Sequence, residues 1–122
     1  MGTPGVPIVR ISGTLLCVFQ ADLSDRVAEA CQQQLLAKLE STCETRVLLD
    51  VSSLDMVDTY VARVLLDTAS MARLMGARTV LVGMRPEVAA TLAHMGQVLG
   101  GMETALNVDH GFALLSKPQT HR

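Results

Sequence analysis

The sequence predicts an α/β fold built on a mostly parallel sheet, and three observations carry that prediction. Two almost uninterrupted apolar runs, Thr45-Arg-Val-Leu-Leu-Asp-Val51 and Arg78-Thr-Val-Leu-Val-Gly83, have the pattern of strands covered on both faces. Around them apolar residues recur at helical spacing, so strands and helices alternate along the chain. Near the start, two shorter apolar runs meet at Ser12-Gly13, where glycine supplies a hairpin turn.

The elements follow in order. Pro7 to Gly13 and Thr14 to Gln20 are the hairpin strands. Asp22 and Ser24 both suit the cap of the next helix, where Val27, Ala28, Cys31, Leu35 and Leu39 form one stripe. Arg26, Glu29, Gln33 and Lys38 take its other side. The strand Thr45 to Val51 comes next. From Tyr60 to Met75, Val61, Val64, Leu65, Thr68, Met71 and Ala72 keep helical spacing, and Gly76 ends the helix. After the strand Arg78 to Gly83, Pro86 opens a helix that runs to Met95 and closes at Gly96. Gly100-Gly101 breaks the chain before a short strand, Thr104 to Asn107. A last helix spans Asp109 to Ser116, ahead of a polar tail from Lys117 to Arg122. The order β-β-α-β-α-β-α-β-α, with no repeat or linker, is that of one domain over residues 1–122 with four helices.

Composition excludes several function classes. The 122 residues are 49% apolar and 18% charged, enough for one core. A net charge of -2, with no two adjacent Lys or Arg, offers nothing to a phosphate backbone. One Tyr and two Phe leave little for bases to stack on, so nucleic acid is not an expected partner. Cys17, Cys31 and Cys43 are odd in number and widely spaced, which points to a reducing compartment. The N-terminus lacks a charged leader, and no apolar run approaches about eighteen residues. A soluble cytoplasmic protein with no membrane partner is the expectation.

The segment Asp50-Val-Ser-Ser-Leu-Asp-Met-Val-Asp-Thr59 stands out, because a buried-strand pattern breaks into three spaced carboxylates and a hydroxyl that opens a helix. Thr59 falls at or beside the N-cap, where a plain capping role is the simplest reading. The same hydroxyl is also a place where a phosphate would be received by the helix N-terminus. Asp50, Asp55 and Asp58 fit no established magnesium loop and read as turn and helix-start residues. His94, His110 and His121 lie far apart with no ligand at metal spacing, and no metal or other cofactor is expected. Cys17 and Cys31 read as small core residues, while Cys43 sits in a turn. Gly83-Met-Arg-Pro86 lacks the lysine and glycine spacing of a nucleotide cradle, so kinase or NTPase activity of the chain's own is not expected. A small hydrolase or thiol enzyme using Cys43, or the three carboxylates with His94, lacks a positioned base in sequence. Most of the seven methionines fill a core short of aromatics, with the ends of Met56, Met75 and Met84 left for docking.

Three blocks carry a family resemblance: Leu48-Leu-Asp-Val-Ser-Ser-Leu-Asp-Met-Val-Asp-Thr-Tyr60, Met71-Ala-Arg-Leu-Met-Gly-Ala77 and Leu81-Val-Gly-Met-Arg-Pro-Glu-Val88. Over nearly its whole length the chain resembles a STAS domain, and within that family the short RsbS-type scaffold of the bacterial stressosome. The RsbR-type paralogues resemble it too but carry an additional N-terminal sensor domain. The resemblance implies that Thr59 accepts phosphate from an RsbT-type kinase, held on a large homo- and hetero-oligomeric assembly with RsbR-type paralogues until phosphorylation releases it. It further implies a phosphatase that resets Thr59, and a docking surface of Asp55, Met56, Asp58, Thr59, Met75, Gly76, Met84 and Arg85. A free anti-sigma-factor antagonist is the alternative within the family.

Overall fold

In the computed structural model, residues 6–21, 23–95 and 103–118 are described. The hairpin forms as the sequence predicts: β1 (Ile8–Ile11) runs antiparallel to β2 (Thr14–Val18). Ser12 (φ 51°) and Gly13 (φ 77°) both take positive φ, the geometry of a two-residue turn that matches strand twist. Then follow α1 (Asp25–Thr42), β3 (Arg46–Asp50), α2 (Thr59–Leu74), β4 (Arg78–Val82), α3 (Pro86–His94), β5 (Glu103–Ala105) and α4 (Val108–Leu115). The five strands lie in the order β1-β2-β3-β4-β5, and every pair after the first is parallel.

Parallel neighbours require each connecting helix to return along the sheet, so α1, α2 and α3 run back over one face. Their apolar stripes meet Leu15, Cys17, Val47, Leu49, Val51 and Leu81 in the larger core. The opposite face carries Leu48, Val80 and Val82, covered by Leu115 and Phe112 of α4. β3 and β4 therefore bury side chains on both faces, which is why their runs lack polar alternation. Gln32 of α1 donates to Thr68 Oγ1 of α2 at 2.9 Å, a polar tie across the helix pair. Arg78 donates to both Glu103 oxygens, at 2.6 and 2.9 Å, and to the Lys117 carbonyl at 2.6 Å, fastening the β5 edge and the end of α4 to β4.

Some boundaries differ from the sequence reading. Ser24, whose Oγ accepts from the Val27 amide at 3.2 Å, caps α1; Asp22, the other cap considered, lies outside the described residues. Asn107 is not the last residue of β5 but the cap of α4, accepting from the His110 amide at 2.9 Å, so β5 ends at Ala105. A short polar side chain gains more by capping orphan amides than by extending a three-residue edge strand. Gly96, Gly100, Gly101, Met102, His121 and the end of the tail lie outside the described residues.

Cys17 and Cys31 are buried, and Cys43 is exposed at the C-cap of α1. The Cys17 thiol is held far above its ordinary value by its hydrogen bond with Cys31 and by burial. It therefore stays protonated, as a packing residue would.

Just past the ends of β3 and β4 the backbone at Gly83 lies close against Ser52. A Cβ on Gly83 would stand 2.7 Å from Ser52 Cβ, and Gly83 has φ +77°. Gly83→Ala is thus expected to destabilise the fold twice, by about 1–2 kcal/mol for the left-handed conformation and about 1–3 kcal/mol for the overlap. Urea unfolding of the two proteins measures it; equal midpoints would contradict the close approach.

Candidate functional site

Because the helices return antiparallel to the strands, the N-termini of α1, α2 and α3 gather at the carboxyl edge of the sheet, where open α/β sheets bind ligands. The segment from Asp50 to Thr59 lies on this edge. Its first turn is closed by the Leu54 amide donating to the Val51 carbonyl at 3.0 Å and by the Ser52 amide donating to Asp50 Oδ1 at 3.0 Å. Leu54 is buried and anchors the loop, while Asp55 and Met56 are exposed. Arg85, the cap residue of α3, reaches across, donating to the Ser52 carbonyl at 3.1 Å and lying 3.6 Å from Asp55 Oδ1. Thr91 of α3 donates to the Val57 carbonyl at 3.4 Å. The loop is tied at both shoulders.

Asp58 caps α2, its Oδ1 accepting from the Val61 amide at 2.7 Å. Thr59 is therefore the first helical residue rather than the cap, and its side chain is exposed. A capping hydroxyl would be committed to the backbone; here Asp58 makes that bond and leaves the Thr59 hydroxyl to solvent. The amides of Thr59 and Tyr60, at the first two helical positions, have no carbonyl one turn back to bond.

Two residues absent from the sequence reading of the site complete it. Ser24 and Asp25, at the start of α1, share with Asp58 a depression of about 720 Å³. The Asp25 carboxyl is raised above its ordinary value, first by desolvation, then by the Asp58 charge and a hydrogen bond with it, and last by Glu29. The sequence names Ser24 as a cap, but only the parallel topology sets it beside Asp58. A second depression of about 360 Å³ is lined by Asp50, Ser52, Gly83, Asn107 and Asp109, among others.

Other expected members do not join. Met75 and Gly76 end α2, roughly 24 Å from Thr59 along sixteen residues of helix, so they border the amino edge of β4 instead. A surface that includes them and the acidic loop together is not contiguous. Met84 stands at the carboxyl edge but packs its side chain partly into the larger core. Asp50, Asp55 and Asp58 serve three separate partners, the Ser52 amide, Arg85 and the Val61 amide. Cys43 and His94 lie at the far ends of α1 and α3, with no hydrogen bond or ion pair to those carboxylates. Among the described residues no helix is long and apolar enough to cross a membrane.

The raised Asp25 binds its proton to higher pH in the folded chain than in the unfolded. Its stabilising contribution is full in acid and is lost as pH rises through the folded-state value. Asp58→Asn keeps an equivalent cap and removes the neighbouring charge. The expected outcome, read by carboxyl NMR titration, is an Asp25 transition shifted down toward the usual carboxylate range. An unmoved transition would show that the two acids do not interact.

Comparison with known proteins places this geometry. The sequence profile of the STAS domain matches residues 2–110. The RsbT co-antagonist protein RsbRA of Bacillus subtilis (strain 168) is 35% identical over 65 residues, 53% of this chain and 24% of the relative. The chain thus spans about a quarter of that relative's length. A serine-to-glutamate variant of Moorella thermoacetica RsbS superposes with a TM-score of 0.82 at 33% identity, covering 91% of this chain and 94% of that one. A chain from the molecular architecture of the stressosome, a signal integration and transduction hub, superposes with a TM-score of 0.80 at 34% identity, covering 90% and 96%. This chain belongs to the STAS-domain family.

Proposed function

We propose that the chain is a non-catalytic scaffold and phospho-switch in a bacterial stress-signalling assembly. Unphosphorylated, it retains an RsbT-type serine/threonine kinase; phosphorylated on Thr59, it lets the kinase go. The observation that carries this reading is the exposed Thr59 hydroxyl at the first position of α2, freed from capping duty by Asp58. The likeness to RsbS and to a stressosome chain at about a third identity over nearly the whole chain supports the assembly role.

The kinase supplies all the covalent chemistry. Its base takes the Thr59 hydroxyl proton, the oxygen attacks the terminal phosphorus of ATP, and ADP leaves. The helix start receives the phosphate favourably, by about 0.3–2 kcal/mol, so the fold has no reason to change. The surface does change. A phosphate adds about -1.5 to -2 charges within a group that already holds Asp25, Asp55 and Asp58. Reducing a partner's affinity about a hundredfold takes only about 2.7 kcal/mol, within reach of like-charge repulsion at close range. The docking surface on this reading is Asp55, Met56, Asp58 and Thr59 with Arg85 and the exposed part of Met84. A partner phosphatase resets Thr59, and the assembly is cytoplasmic.

Incubation with an RsbT-type kinase and ATP, followed by mass spectrometry, is expected to place phosphate on Thr59; label elsewhere and none on Thr59 defeats the assignment. In pull-downs with phosphorylatable conditions, Thr59→Ala should trap the kinase and Thr59→Asp should retain less, though more than the true phosphoprotein because Asp carries less charge. Equal yields from both variants contradict electrostatic release.

Mixed with RsbR-type STAS proteins, the chain should elute in a particle far heavier than either component. A free antagonist would instead stay small in that mixture, so measured particle mass decides between the two.

A further inference from the structure

The start of α3 breaks the pattern of the other helices. Ser24, Asp58 and Asn107 each cap a helix by accepting from a backbone amide, whereas the residue at that position in α3 is Arg85, whose side chain makes no capping bond. A guanidinium has only donors and cannot serve orphan amides. It is turned to the acidic loop instead, with Nε donating to the Ser52 carbonyl at 3.1 Å and Nη1 standing 3.6 Å from Asp55 Oδ1. Gly83 makes the reach short, because its lack of a side chain lets the exit of β4 lie against Ser52 just before Arg85.

What the cation does there follows from its exposure. The Arg85 and Asp55 side chains are 53% and 81% exposed, and an ion pair that open adds little to stability. Its charge still acts on anything that docks. Asp55 and Asp58 belong to the loop, and across the depression α1 brings Asp25 and a second cation, Arg26. A partner released by added negative charge must itself present negative charge to this surface, so each cation here favours its docking. Phosphate on Thr59 shifts the surface by about -1.5 to -2 charges, and loss of Arg85 shifts it by a single charge in the same direction. Half the charge has about half the effect on a logarithmic scale, roughly tenfold where phosphate gives a hundredfold.

We infer that Arg85 is the counter-charge that keeps the unphosphorylated loop acceptable to the kinase, and that it thereby sets how far phosphorylation must tip the surface before release. The inference rests on the kinase-retention reading above and deepens it. Bracing the loop is then the lesser of the two roles of this side chain.

Calorimetric titration of an RsbT-type kinase into the full chain, without ATP so that Thr59 stays unmodified, tests it. Arg85→Gln is expected to weaken binding about tenfold, while Arg85→Lys, which keeps the charge but not the planar fork, binds within about twofold of the unmodified chain. Asp55→Asn moves the charge the other way and should tighten binding. Combined with Arg85→Gln, it should return the affinity to near its starting value. High salt should shrink the gap between Arg85→Gln and the unmodified chain. Equal affinity for Arg85→Gln overturns the inference, and so does a loss that Arg85→Lys shares, which would make the Ser52 bond rather than the charge responsible; either result leaves kinase retention standing. Should Arg85→Gln fail to fold, Asp55→Asn decides alone, and binding no tighter than that of the unmodified chain overturns the inference. A kinase that does not bind the unmodified chain at all overturns the retention reading and this inference with it.

Discussion

β3 and β4 lie side by side in parallel, from Arg46 against Arg78 to Asp50 against Val82, and that pairing constrains everything downstream. Two parallel neighbours cannot be joined by a tight turn, so the chain between them must return along the sheet as a helix. The return places the start of α2 at the carboxyl edge and its end at the opposite one. The acidic loop, its buried anchor Leu54 and the Gly83–Ser52 approach then fix where Thr59 stands. The same rule applied to α1 sets Asp25 beside Asp58, although thirty-odd residues separate them in sequence. Placement of charge at this edge is a product of connectivity first and side-chain preference second.

Much of the fold was legible because its signals are local. The Ser12-Gly13 turn needs positive φ, which glycine accepts, and the runs of β3 and β4 are apolar because both of their faces are covered. At Thr59 the sequence left cap and neighbour of the cap both open, since Asp and Thr are both good caps, and the structure makes Asp58 the cap with Thr59 beside it. At Asn107, capping won over strand extension for the same kind of reason. The Asp25–Asp58 contact was not legible, because it depends on how elements pack, whereas the separation of Thr59 from Met75 follows from the length of α2 alone. Residues close in a motif list need not be close in space.

The carboxylates of the acidic loop are committed to holding its shape. Each carboxylate near Thr59 already has a structural partner, in the Ser52 amide, Arg85 or the Val61 amide. Such commitments hold the loop in one conformation, with Arg85 at the start of α3 and Thr91 within it bracing the loop. A preorganised surface of this kind responds to added charge through its electrostatic field and loses little order in doing so.

The length of α2 has a further consequence. Along its roughly 24 Å, mobile ions with a screening distance of about 8 Å at physiological salt extinguish the field of a single added charge. Within one copy, then, the two termini of this helix are electrically insulated from each other. A charge gained at Thr59 is therefore felt at the carboxyl edge of the sheet and not at the methionine-rich far end.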